Sequence, residues 1–296
     1  MTYLTELEEA IGQIVADEKV LLEESKNIIG LMRINGYIKQ KTVFRMDIYS
    51  AMYQRIAGII SLTESKQTNA ANIMLRSIWE LLATHSFVGM HTGNKYLEIL
   101  KAIDAQGTKK QWRAIQTLRA NYPNSNTWEE QWSDQVIQDR IDWAERRLAS
   151  FRLKNPNVNI NSYERILDRL KAIDDYNLNK YPNYKNLLQM DYRTVYSLLS
   201  DDVHSSLYGL TENSRLTQTG LQVRLDKFDL DTLRNITTSY NMLLDFTAFL
   251  SRHYRLGQGS AIKIFRDTEK QHHQVYKSFE ARREDGMRNN VPQAQW

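Results

Sequence analysis

Apolar residues recur every three or four positions along most of this chain, the mark of amphipathic helices. From residue 3 to about 33 the rhythm is carried by Leu7, Ile11, Ile14, Leu21, Leu22 and Ile28, and Asn35-Gly36 supplies a stop. Residues 42–62 repeat the pattern with Ile48, Met52, Ile56, Ile59 and Ile60. A third helix is predicted over 65–90. Its centre, Ala70 to Ala83, is apolar almost all round, as in a helix buried in the middle of a bundle. Two shorter helices are predicted at 94–104 and 109–120, separated by Gln106-Gly107. Further helices follow at 127–153 and 162–175, with Trp128, Trp132 and Trp143 near one face of the first.

The second half keeps the same period. Residues 191–207 form one helical pattern and 229–256 another, and between them Thr217 to Leu225 reads as irregular or as a short extended piece. Past the break Gly257-Gln258-Gly259, a polar helix over 261–283 carries only a narrow stripe of Phe265, Val275, Tyr276 and Phe279. Period-two alternation is nearly absent. The expected fold is therefore all-α. Residues 1–104 and 184–256 would form a central helical bundle, 105–183 an inserted helical subdomain, and 257–296 a C-terminal helix and tail.

Polar residues interrupt this pattern most clearly in DYRTVYSLLSDDVHSSL, from Asp191 to Leu207. As a helix, it sets Arg193, Ser197, Ser200 and His204 in one stripe, at spacings of four, three and four. The upstream partner is the apolar third helix, where Arg76 and Glu80 stand four apart. Two readings follow. In the first, the five residues Arg76, Glu80, Arg193, Ser200 and His204 form a buried structural network, in which Glu80 neutralises Arg76. In the second they are catalytic. His204 would move a proton, Arg76 or Arg193 would hold a phosphate, and Glu80 would orient Arg76.

Composition narrows the field. The chain has 296 residues and no cysteine, so a disulfide framework, a zinc finger and a thiol nucleophile are all ruled out. Its N-terminus lacks a basic segment followed by an apolar run, and no window approaches the length of a membrane span. A cytoplasmic protein with no membrane partner is expected. No glycine-rich phosphate loop, nucleophile elbow or metal-ligand spacing occurs, so neither cofactor nor metal is expected. Net charge is +4. Residues 1–30 carry net −5 and Arg252 to Arg288 net +4, so the chain ends would pair within a chain or across a homodimer. Basic and aromatic residues interleave in Lys109–Arg113 and in Arg140–Arg152, a mixture able to hold single-stranded nucleic acid. The competing account makes the tryptophans anchors of the insertion. The arginines would then alternate with Asp139, Asp142 and Glu145 as a solvated face.

The segments LRSIWE (Leu75 to Glu80) and YSLLSDDVHSS (Tyr196 to Ser206) resemble the helical bacterial family called domain of unknown function 5677. The resemblance carries over Arg76, Ser77, Glu80, Tyr196, Leu199, Ser200, Val203, His204 and Ser205, and names a polar centre rather than a reaction. More remotely, the chain resembles HEPN bundles, whose mark is Arg, four to six residues, then His. Arg266 matches that spacing formally with His272 and with His273. The HEPN resemblance implies a metal-independent ribonuclease of a toxin or antiviral system. The functional expectation is a bundle protein of a bacterial or phage accessory system that binds RNA or a partner protein. The alternative is a ribonuclease using His204 as general acid/base.

Overall fold

The computed structural model describes residues 3–32, 38–123, 133–185, 188–191, 214–217, 220–223 and 230–289. The architecture is all-α, as expected. The helices are α1 (Tyr3–Gly30), α2 (Gln40–Glu64), α3 (Thr68–Gly89), α4 (Lys95–Asn121), α5 (Asp134–Lys154), α6 (Ile166–Lys180), the single turn α7 (Leu188–Asp191), α8 (Leu230–His253) and α9 (Gly259–Asn289). A 3-10 turn at Ile160–Tyr163 precedes α6. One short hairpin accompanies them. Strands β1 (Ser214–Thr217) and β2 (Gly220–Val223) pair antiparallel, with Ser214 opposite Val223. It overlaps the stretch where the sequence left an extended piece open. The chain divides into two compact units, residues 1–82 with 191–296, and residues 83–190.

In the first unit the core is built from α1, α2, the first part of α3, α8 and α9. Leu7, Ile11, Ile14 and Leu21 of α1 meet Met52, Ile56 and Ile59 of α2, Ile78 of α3, and Leu233, Ile236, Leu243 and Leu250 of α8. The most enclosed helix is α8, not α3. Ile73 of α3 is exposed, whereas α8 is buried on nearly every side. Sequence periodicity missed this because α8 hides polar residues. Thr232 pairs with Thr68 of α3, Asn235 donates to Asn72, and the Ser239 hydroxyl donates to the Ile236 carbonyl at 3.0 Å. Bonded internally, such groups enter a core at little cost.

Helix α9 belongs to this core. Phe279 is buried, and Phe265, Val275 and Tyr276 pack against the same cluster, so the narrow stripe is its docking face. Phe279 meets Tyr3 edge-on at 5.5 Å, and Arg282 binds Glu6 at 2.5 Å. Opposite charges at the two chain ends are thus joined within one chain. Four apolar positions along this long helix suffice to dock it on the bundle.

In the second unit α4 and α5 run antiparallel, sealed by Leu97, Ala102 and Ala105 against Ile137, Ile141, Ala144, Leu148 and Phe151. Phe87 packs on Tyr96 at 4.7 Å and on Tyr163 at 5.4 Å. Helix α4 is continuous through Gln106-Gly107, contrary to the expected break. A glycine inside a helix costs about 1 kcal/mol. Bonds on either side of it offset that cost. Gln106 donates to Asn161 at 2.9 Å, and Lys109 and Lys110 bind Glu145 at 2.8 Å and Glu164 at 2.6 Å. At the start of α5 the Ser133 hydroxyl caps the helix by accepting from the Val136 amide. No helix among the described residues is long and apolar enough to cross a membrane.

Candidate functional site

The described members of the expected polar centre, Arg76 and Glu80, lie on α3, which meets α2 nearby. The Met74 side chain of α3 lies over Gly58 of α2, where an added Cβ would stand 2.5 Å from its sulfur and push that flexible side chain aside. One turn away, the Arg55 guanidinium donates from Nε to the Ser77 hydroxyl and from Nη1 to the Ala51 carbonyl, the latter at 3.0 Å. Next to Ser77, Arg76 Nε donates to Glu80 Oε1 at 3.3 Å. The Arg76 side chain is 15% exposed and that of Glu80 is 40% exposed. The structure therefore brings Arg76 and Glu80 together as expected and adds Arg55, which spacing had not singled out. The available signal was an arginine three residues from a glycine on an otherwise apolar helix. Arg193, Ser197, Ser200 and His204 lie outside the described residues.

The chain is held firmly just ahead of that stripe. Asp174 of α6 is fully buried. Its carboxylate accepts from the Tyr184 hydroxyl and from the Leu188 and Gln189 amides, all at 3.0 Å, and from the Gln189 side chain at 3.2 Å. Four donors make a buried carboxylate tolerable.

A second buried polar group joins α9 to α1 and α8. His272 Nε2 meets Asp17 Oδ2 at 2.8 Å, with the imidazole edge-on to the Tyr240 ring at 4.7 Å. The Tyr240 hydroxyl donates to the Phe265 carbonyl at 3.2 Å. Beside Asp17, Glu18 is wholly enclosed. Burial pushes its carboxyl well above the ordinary carboxylate range. Of the two formal Arg-His matches of the remote resemblance, that to His272 is packed inside the bundle, whereas His273 is exposed. His272 is 3% exposed, and Arg266 is held by Asp245 and by Glu269, the latter at 2.7 Å. Among the described residues no group of three or more His, Asp or Glu is placed to hold a metal ion.

Fold and polar centre together define a helical-bundle protein whose arginines on α2 and α3 are engaged by neighbouring groups. The chain belongs to the Family of unknown function (DUF5677), whose model matches residues 46–220, more than half of its length. The match runs without interruption from α2 to the start of β2. It takes in Arg55, Arg76, Ser77 and Glu80, and it also covers α4, α5 and α6, which the two short motifs did not reach. No curated protein and no solved structure matches the chain.

Proposed function

We propose that this is a binding protein of a bacterial or phage accessory system, acting through nucleic acid or a partner protein, with a polar centre that organises the bundle. The observation that carries the reading is the engagement of both arginines. Arg55 is bonded to Ser77 and Ala51, and Arg76, largely buried, to Glu80. A phosphate clamp needs a cation whose donors are open to the ligand, and one held by its own bundle serves the fold first. The test compares wild type with His204→Ala on end-labelled RNA, with thermal melts alongside. Neither protein is expected to cut RNA. Cleavage by wild type that His204→Ala abolishes at an unchanged melting temperature would overturn the reading.

The alternative is a metal-independent ribonuclease with His204 as general acid/base, Arg76 or Arg193 on the scissile phosphate, and Glu80 and Ser200 in support. What favours it is the exposure of Glu80, which leaves one edge of the Arg76 pair reachable from solvent. The same RNA assay decides between the two.

A further inference from the structure

The positive charge of this chain is concentrated in two helices. Together α4 and α5 carry eleven basic and six acidic side chains, net +5, against +4 for the whole sequence. Within the pair the acids are spent unevenly. Glu145 holds Lys109 and Arg113, Asp134 holds Arg119, and Glu98 holds Lys101. Asp139 and Asp142 accept from Gln135 and Gln138 one turn earlier. The sixth acid, Asp104 of α4, pairs with none of them, and Arg140, Arg147 and Lys154 are all exposed and form no ion pair among the described residues.

These three residues share one face of α5. Arg140, Trp143, Arg147, Ser150 and Lys154 follow at spacings of three, four, three and four. The stripe runs for about 21 Å at 1.5 Å per residue. Trp143 is exposed at 37% rather than buried as an anchor, and the Arg147 guanidinium lies over its ring at 4.7 Å. The lower half of the stripe borders a pocket between the two helices, where Arg147, Ser150, Lys154 and Asn155 of the α5 side face Lys101 and Glu98 of α4.

We propose that this face of α4 and α5 binds single-stranded nucleic acid, with a base stacked on Trp143 and backbone phosphates on Arg140, Arg147 and Lys154. Cations spaced along a helix follow a phosphate chain, and an exposed indole with an arginine on its face offers an unpaired base a stacking platform. A duplex, whose bases are already stacked, gains nothing from Trp143. The inference rests on the binding-protein reading and narrows its partner.

The experiment measures fluorescence anisotropy of the full chain with labelled oligo-dT and oligo-U of twelve nucleotides. Oligo-dT has no 2′-hydroxyl and cannot be cut by a 2′-hydroxyl mechanism, so binding is read separately from cleavage. Trp143→Ala is expected to weaken binding about 5- to 150-fold, the range for losing one stacked base. The triple variant Arg140→Gln/Arg147→Gln/Lys154→Gln is expected to shrink the slope of log affinity against log salt by about 2, at about 0.7 per phosphate on a single strand. Lys277→Glu, an exposed charge change in the other unit, is expected to leave binding unchanged. The proposal is overturned if wild type binds neither oligonucleotide, or if the stripe variants bind as wild type does. It is also overturned if a duplex or polyglutamate of equal charge competes as well as oligo-dT. Cleavage of oligo-U by His204 would sink the binding-protein reading while leaving this surface in place.

Discussion

Arginines on α3 and on α5 meet opposite fates. On α3, Arg76 is largely buried and paired with Glu80 four residues on, and Arg55 of α2 is bonded to Ser77 beside it. On α5, Arg140 and Arg147 are exposed with no carboxylate partner, and for Arg147 the Trp143 ring takes the place of a counter-ion. The contrast shows what a cation is for. One that is buried and answered from within stabilises a particular packing, because removing its partner strands a charge in low dielectric. An exposed cation that the fold leaves unanswered contributes little to stability and is free for something else. Experiments that shift stability at one site and binding at the other would sharpen this division.

The largest effect is expected at Asp174. Replacing it with Ala removes an acceptor from four donors, two of them backbone amides at the start of α7. Charge-assisted bonds are worth more than neutral ones, and the donors left behind are part-buried, so a loss of about 3 kcal/mol is expected in chemical denaturation. A loss below about 1 kcal/mol would show that water replaces the carboxylate.

Glu18 is next and depends on pH. Its folded carboxyl titrates above its unfolded value because of burial, so the folded state holds a proton that the unfolded state releases. Stability linked to this group is therefore fully present below the unfolded carboxylate range and is lost as pH rises through and beyond it, by at most about tenfold in the folding constant per pH unit. Glu18→Gln cannot titrate. Its stability curve should coincide with that of wild type near pH 4 and lie progressively above it toward pH 8. Parallel curves across that range would refute the assignment.

Ser77→Ala should cost about 1 kcal/mol by leaving the Arg55 Nε–H without its acceptor. Ser77→Thr, which keeps the hydroxyl, should recover most of it. If both variants melt as wild type does, Arg55 is not bound into the packing and the contrast with α5 weakens.

How far the sequence revealed these features depends on the kind of signal. Periodic apolar residues marked nearly every helix, including the docking stripe of α9, because burial of a face imposes a period whatever the fold. The i, i+4 pair Arg76 and Glu80 was legible for the same reason. Three things were not. The enclosure of α8 was hidden by Thr232, Asn235 and Ser239, whose partners come from other helices or from their own backbone. The continuity of α4 was hidden by Gly107, since the bonds that offset its cost come from Glu145 and Glu164, far along the chain. The pairing state of the basic residues was hidden as well. Arg113 and Arg147 look alike in sequence, and only the antiparallel packing of α4 on α5 puts Glu145 beside the first and leaves the second open. The stripe Arg193, Ser197, Ser200 and His204 was read from spacing and lies outside the described residues.

The smallest effect is the one that tests the division most directly. Arg140→Gln and Arg147→Gln, singly or together with Lys154→Gln, should change stability by no more than about 0.5 kcal/mol, because no ion pair is lost and each side chain is already hydrated. Arg147 gives up its place over Trp143, a contact worth about 0.5 to 1 kcal/mol at an exposed site, so it should be the costlier of the two. In a chain with net charge +4, removing three neighbouring positive charges also relieves their mutual repulsion, which offsets part of that loss. A near-zero change in thermal melts combined with a reduced salt slope in nucleic-acid binding would place these cations outside the folding problem altogether. A drop of 2 kcal/mol or more would mean that the stripe, like Arg76, is answered from within.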